Sequence, residues 1–276
     1  MRRSIVTAAT GPLLAAAVFV SATACASDSG EDQKPGAAPT EASRPLEVPD
    51  TVVARAAKKT GGTSARITER VEVTSDKGGF ELTATGPFDM ARDRGKLSVR
   101  LPGGAIDHMD EVFGGGKIYL KPLGNLKKGQ WAAVDRDRAQ AHYLLRSPAN
   151  DPEHVLLQVS TMRDVKKRGT ERVGGRSTTH YSGTLDHATL SSRLEPTTLA
   201  KIDALREKEG KDLPVRADAW VDGAGRLAKV RLGSAMGGTE VTITMELADF
   251  GLPVRVPVPA KGSTVPTETT QGLLPG

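Results

Sequence analysis

The sequence predicts an α+β protein: a curled antiparallel β-sheet of about ten strands with a few helices across its concave face. Three observations predict it. Period-2 alternation of apolar and polar residues is the dominant signal over the middle of the chain. Gly-rich or Asp-Gly turns separate many of the alternating runs, as at Lys77-Gly78-Gly79, Gly174-Gly175 and Asp222-Gly223-Ala224-Gly225. Their short spacing requires antiparallel hairpins, because a parallel crossover needs a dozen or more residues. Helical periodicity, by contrast, appears in few places. The helices supply too little area to cover so large a sheet flat, so the sheet must curl, and Gly86, Gly95 and Gly183 permit the bends.

From the N-terminus, Arg2 and Arg3 precede an apolar run from Ile5 to Ala22 that closes on Ala22-Thr23-Ala24-Cys25. This is the layout of a bacterial lipoprotein signal over residues 1–24, with Cys25 as the acylated residue. Ala22 stands where such signals usually carry Leu. Ala22-Thr23-Ala24 also fits an ordinary cleavage site, and the run is close to the minimum for an uncleaved span, although Gly11 and Pro12 argue against that. Each alternative puts the remainder outside the cytoplasm. Residues 25–48 are rich in Ser, Pro, Glu, Asp and Ala and have too little apolar surface to offset ordering entropy. They read as a disordered tether, and residues 261–276 as a disordered tail. One domain, residues 49–260, lies between.

The expected strands are Arg66–Thr74, Phe80–Met90, Lys96–Leu101, Lys117–Lys121, Gln130–Val134, Arg168–Val173, Thr178–Leu185, Val215–Val221, Arg226–Leu232 and Thr239–Leu247. The expected helices are Asp50–Lys59, with Asp50 as N-cap and Gly61 as stop, Arg138–Arg146, Asp151–Met162 and Pro196–Glu209. Pro148 breaks the middle pair, and Pro152 sits where a first-turn proline is tolerated.

Charge and composition exclude several classes. The formal charge is +5, and loss of Arg2 and Arg3 with the signal leaves +3. Aromatic residues make up only 4% of the chain, so base-stacking platforms are lacking and nucleic acid is not an expected partner. A single cysteine permits no intramolecular disulfide. No P-loop, nucleophile elbow, dinucleotide fingerprint or H-E-x-x-H motif is present. Gly114-Gly115-Gly116-Lys117 reads as a hairpin turn, and Asp135-Arg136-Asp137 as a turn rather than a calcium loop. His180, beside Tyr181, reads as a strand histidine bonded to its neighbours. His142 and His154 stand twelve positions apart, His108 and His187 stand alone, and Asp218 and Asp222 flank a hairpin with no sign of paired acid–base work. The run Lys166-Lys167-Arg168 reads as a solvated face, with phosphate headgroups as the alternative contact. No catalytic residue, metal ligand or cofactor is expected, and the chain is not expected to be an enzyme.

Two longer segments carry a resemblance. Lys167 to Asp186 (KRGTERVGGRSTTHYSGTLD) and Leu213 to Leu227 (LPVRADAWVDGAGRL) are similar to the actinobacterial LppX/LprG-type lipoproteins of the LolA/LolB-like superfamily. Gly114 to Tyr119 with Trp131, and Asp249 to Val254, fit the same pattern, and the resemblance spans about Val48 to Pro259. It implies a half-barrel with helices over its opening and, in some members, a hydrophobic cavity for acyl chains of lipids or lipoglycans. The apolar strand positions that would line such a cavity are Phe80, Leu82, Phe88, Leu97, Val99, Ile118, Val241, Ile243, Met245 and Leu247. The same residues would equally serve as a filled core. The expected function is a membrane-anchored extracytoplasmic lipoprotein, held to the cytoplasmic membrane through acylated Cys25, that binds a lipid or glycolipid. The alternative is an envelope protein-interaction module with a filled core.

Overall fold

The computed structural model describes residues 46–104, 107–124, 126–209, 215–236 and 238–267. The signal, Cys25 and the expected tether as far as residue 45 lie outside these residues, as does the tail from residue 268.

The alternating runs pair as β1 (Ser64–Ser75), β2 (Gly78–Asp89), β3 (Arg94–Arg100), β4 (His108–Gly114), β5 (Lys117–Lys121), β6 (Trp131–Asp135), β7 (Arg163–Val173), β8 (Arg176–Leu185), β9 (Val215–Asp222), β10 (Leu227–Met236), β11 (Thr239–Ala248) and β12 (Thr264–Pro266). They form one open sheet in the order β12-β6-β5-β4-β3-β2-β1-β11-β10-β9-β8-β7. Every pairing is antiparallel except that of β12 with β6. Among the described residues, four α-helices accompany the sheet: α1 (Val52–Gly61), α2 (Pro152–Ser160), α3 (His187–Ser191) and α4 (Pro196–Glu209).

Twelve strands stand where ten were expected, and both additions have a physical explanation. In β4, Glu111 occupies an in-phase position between the apolar Met109 and Phe113, while Val112 is apolar out of phase, so the alternation is spoiled. β12 is three residues long and ends in Pro266, too short to carry a period. It lies in the segment read as a disordered tail. Thr264–Pro266 instead run parallel to Trp131–Ala133.

The helix expected over Arg138–Arg146 does not form; these residues are turn and bend with a single bridge between Ala141 and Leu194. Ala139 and Ala141 are both buried, and residues two apart cannot share a helix face. The Ala139 carbonyl accepts from the Arg193 guanidinium at 3.1 Å and is thereby withdrawn from a helical ladder. Leu145, with φ 66°, turns the chain into the left-handed region.

Helix α1 is capped by Thr51 rather than Asp50: the Thr51 hydroxyl accepts from the Ala54 amide at 3.0 Å. Val53, Ala56, Ala57 and Thr60 form its buried face, and the Thr60 hydroxyl accepts from the Leu227 amide at 2.9 Å, tying the helix to β10. Asp151 caps α2 through the Glu153 amide at 3.0 Å. Gly86 is needed for close approach as much as for bending, because a Cβ there would stand 1.9 Å from the Lys96 carbonyl oxygen. Gly95 is covered by the ring of Phe88, which itself packs edge-on to Phe113 with centroids 5.0 Å apart.

Register aligns the inward-facing side chains in rows. One runs Tyr181, Ala219, Val230, Met245, Glu69, Ala84, Val99, Met109 across eight strands. The outward-facing row beside it runs His180, Trp220, Lys229, Glu246, Thr68, Thr85, Ser98, Asp110. The inner rows, α1 and α2 belong to one hydrophobic core.

Candidate functional site: a cleft above a polar floor

At the end of the sheet where the β1–β2 and β10–β11 hairpins turn, the concave side opens into a cleft of about 770 Å³. This lies within the ~300–1,000 Å³ usual for small-ligand pockets. Strand register puts Val73 opposite both Phe80 and Val241, so the three share one row at the lip. The irregular segment that replaced the expected helix forms the facing wall through His142, Tyr143 and Leu144. Phe80 and Tyr143 meet edge to face at 6.3 Å. Ser75, Lys77 and Thr198 supply a polar rim, and Ser234, nearly buried, presents a hydroxyl with no hydrogen-bond partner among the described residues.

Of the ten strand residues singled out from sequence, Phe80 and Val241 line this cleft. Leu82 and Ile243 lie one row deeper, opposite Val71, and Met245 lies in the row below beside Glu69. These three and Phe88, Leu97, Val99, Ile118 and Leu247 are all packed into the core at 0–1% exposure.

Beneath the cleft, inside the core and not on the cleft's lining, lies a polar floor of ionisable groups that the expected lining did not include. Glu69 and Glu111 are fully buried, and neither oxygen of Glu69 has a hydrogen-bond partner among the described residues. Burial pushes both carboxyls up to about 8, the nearby Arg146 guanidinium offsetting part of the rise. Asn150 links the group: its amide donates to Glu111 at 2.8 Å, and its oxygen accepts from Arg146 at 2.7 Å. A second buried pair stands alongside, with Arg136 donating to both oxygens of Asp151 at 2.7 and 2.6 Å. The Arg136 guanidinium also lies over Phe88 and Phe113. His154 is buried with no hydrogen-bond partner on either ring nitrogen among the described residues, and desolvation lowers it to about 4. The available sequence signal for the floor was an acidic residue in phase with apolar ones: Ile67-x-Glu69-x-Val71, and Met109-x-Glu111-x-Phe113.

His180 lies on the opposite, outward face. Its ring nitrogens share hydrogen bonds with Glu171 at 2.8 Å and Asp218 at 2.7 Å, and the ring stacks on Trp220 at 4.4 Å. His187 pairs with Asp203, and Asp222 accepts from Arg226 and the hairpin backbone. Among the described residues, no group of three or more His, Cys, Asp or Glu side chains could hold a metal ion. No described helix is long and apolar enough to cross a membrane. Recesses among the described residues include one of about 550 Å³ between α1 and α2 and one of about 640 Å³ beside Asp89 and Arg92.

No family model matches the chain. An uncharacterized 31.2 kDa protein of Streptomyces griseus is 26% identical over 233 residues, spanning 75% of each chain. Among solved structures, LppX from Mycobacterium tuberculosis is similar, with 17% identity, a TM-score of 0.46 and coverage of 75% of this chain and 98% of LppX. LprF from Mycobacterium bovis is similar, with 15% identity, a TM-score of 0.45 and coverage of 76% and 95%.

Proposed function

We propose that this chain is an extracytoplasmic lipoprotein, anchored to the cytoplasmic membrane through acylated Cys25, that takes the acyl chain of a lipid or glycolipid into the cleft for transport or presentation. The observation that supports it is the cleft's construction: an apolar wall of Val73, Phe80, Val241 and Tyr143 under a polar rim. Each methylene transferred from water to that wall contributes about 0.8 kcal/mol, so the chain supplies affinity and the rim selects the headgroup. Native mass spectrometry of the chain from Ala26 onward, isolated with its envelope lipids, tests the reading. Adducts of phospholipid or glycolipid mass that disappear in Val241→Trp support it, and a clean apo mass overturns it.

A second reading has its own supporting observation: eight of the ten expected lining residues are sealed in the core rather than on the cleft. In that case the domain acts through its outer surface on another envelope protein. Pull-down partners that persist after delipidation distinguish it.

A further inference from the structure

Residues 163–176 carry six cations, Arg163, Lys166, Lys167, Arg168, Arg172 and Arg176, against Asp164 and Glu171. That local +4 exceeds the +3 left on the chain once Arg2 and Arg3 depart with the signal. Glu171 is already engaged by His180 and by the Trp220 indole N–H at 2.8 Å. Lys166, Lys167, Arg168 and Arg172 are exposed and have no carboxylate partner among the described residues; Arg168 donates to Ser182 and Arg172 to the Gly175 carbonyl. The strand they occupy, β7, is an outer edge of the sheet.

Cations and bulges on an edge strand block pairing with other chains, and β7 has two register shifts of its own. The opposite edge, β12, has no cation in its three residues. Placement adds a second observation: Glu47, at the start of the described chain, meets Arg163 at 3.4 Å, so the chain arrives beside the base of β7. If Cys25 is acylated as proposed above, the anchor stands only 22 positions before Glu47 in the sequence, so this edge is where the tether enters the domain.

We propose that β7 is a docking surface for an anionic lipid bilayer, meeting phosphate headgroups through Lys166, Lys167, Arg168 and Arg172. The docked edge fixes which side of the domain faces the membrane, and the attraction acts within about a Debye length of ~10 Å.

The test is co-sedimentation of the chain from Ala26 onward, which lacks both the signal and the acylated residue, with vesicles of phosphatidylcholine alone or with one-third phosphatidylglycerol. Binding is expected to rise about 10- to 100-fold with the anionic lipid and to fall back at high salt. K166E/K167E/R168E abolishes the rise, Lys166→Gln with Lys167→Gln reduces it, and the control K127E/K128E, on exposed residues elsewhere, retains it. Equal binding to both vesicles, or a triple variant that keeps the preference, overturns the proposal. Acyl-ligand adducts in the cleft are read separately by mass, so loss of docking and loss of ligand binding are distinguishable.

Discussion

At Glu69 a carboxyl sits in a row otherwise built of Tyr181, Ala219, Val230, Met245, Ala84, Val99 and Met109. Burial holds its carboxyl up at about 8 against an ordinary value of 4.5, so the native state binds its proton more tightly than the unfolded state does. The resulting loss of stability is absent below about pH 4.5, grows as pH rises and is complete above about pH 8. Glu69→Gln is therefore expected to match wild type near pH 4.5 and to exceed it at pH 8 by on the order of 3 kcal/mol, after discounting for coupling to Glu111 and Arg146. Thermal midpoints measured across that range check this; parallel curves would refute it. Arg136 gives the opposite case. Its removal strands Asp151 without its bidentate partner, so Arg136→Ala should cost about 3–5 kcal/mol in urea unfolding.

At the scale of elements, the N-cap of α1 separates two adjacent candidates. Thr51→Ala should lose about 1 kcal/mol because the Ala54 amide is left unpaired. Asp50→Ala removes only an ion pair to Arg55 with both side chains largely exposed, which is worth little. Equal losses would show that the cap is misassigned. Gly86→Ala should disrupt the β2–β3 pairing, since its Cβ collides with the Lys96 carbonyl; hydrogen exchange of the β3 amides would rise well above wild type. All ten expected strands were legible because hairpin spacing and one-sided burial leave a period in the sequence. The segment 138–146 was not, because its local pattern suits a helix while Arg193 and the core take its carbonyl and side chains for other purposes. The two cleft residues Phe80 and Val241 were legible as apolar positions on strands. Tyr143, Leu144 and the Glu69–Glu111 floor were not, since a period search reads an in-phase acid as an interruption.

For the molecule as a whole, the ends of the sheet differ. β7 is long, bulged and cationic, whereas β12 covers the flank of β6 with three residues. A chain ending at Ala260 would expose β6, and concentration-dependent self-association by analytical ultracentrifugation is the expected result; a monomer at all concentrations would show that β12 is dispensable as a cover.

The open order from β12 to β7 also bears on how much the interior can hold. In a closed barrel, strand number and stagger together fix the diameter. Here no hydrogen bonds join β7 to β12, so that constraint is absent. The width of the concave trough is set by the side chains and helices lying in it, and can widen by a slight change of twist at each of eleven strand junctions without any ladder bond being broken. On the proposed function, such a trough would adapt to the girth of the acyl chain it takes and select only at its lip.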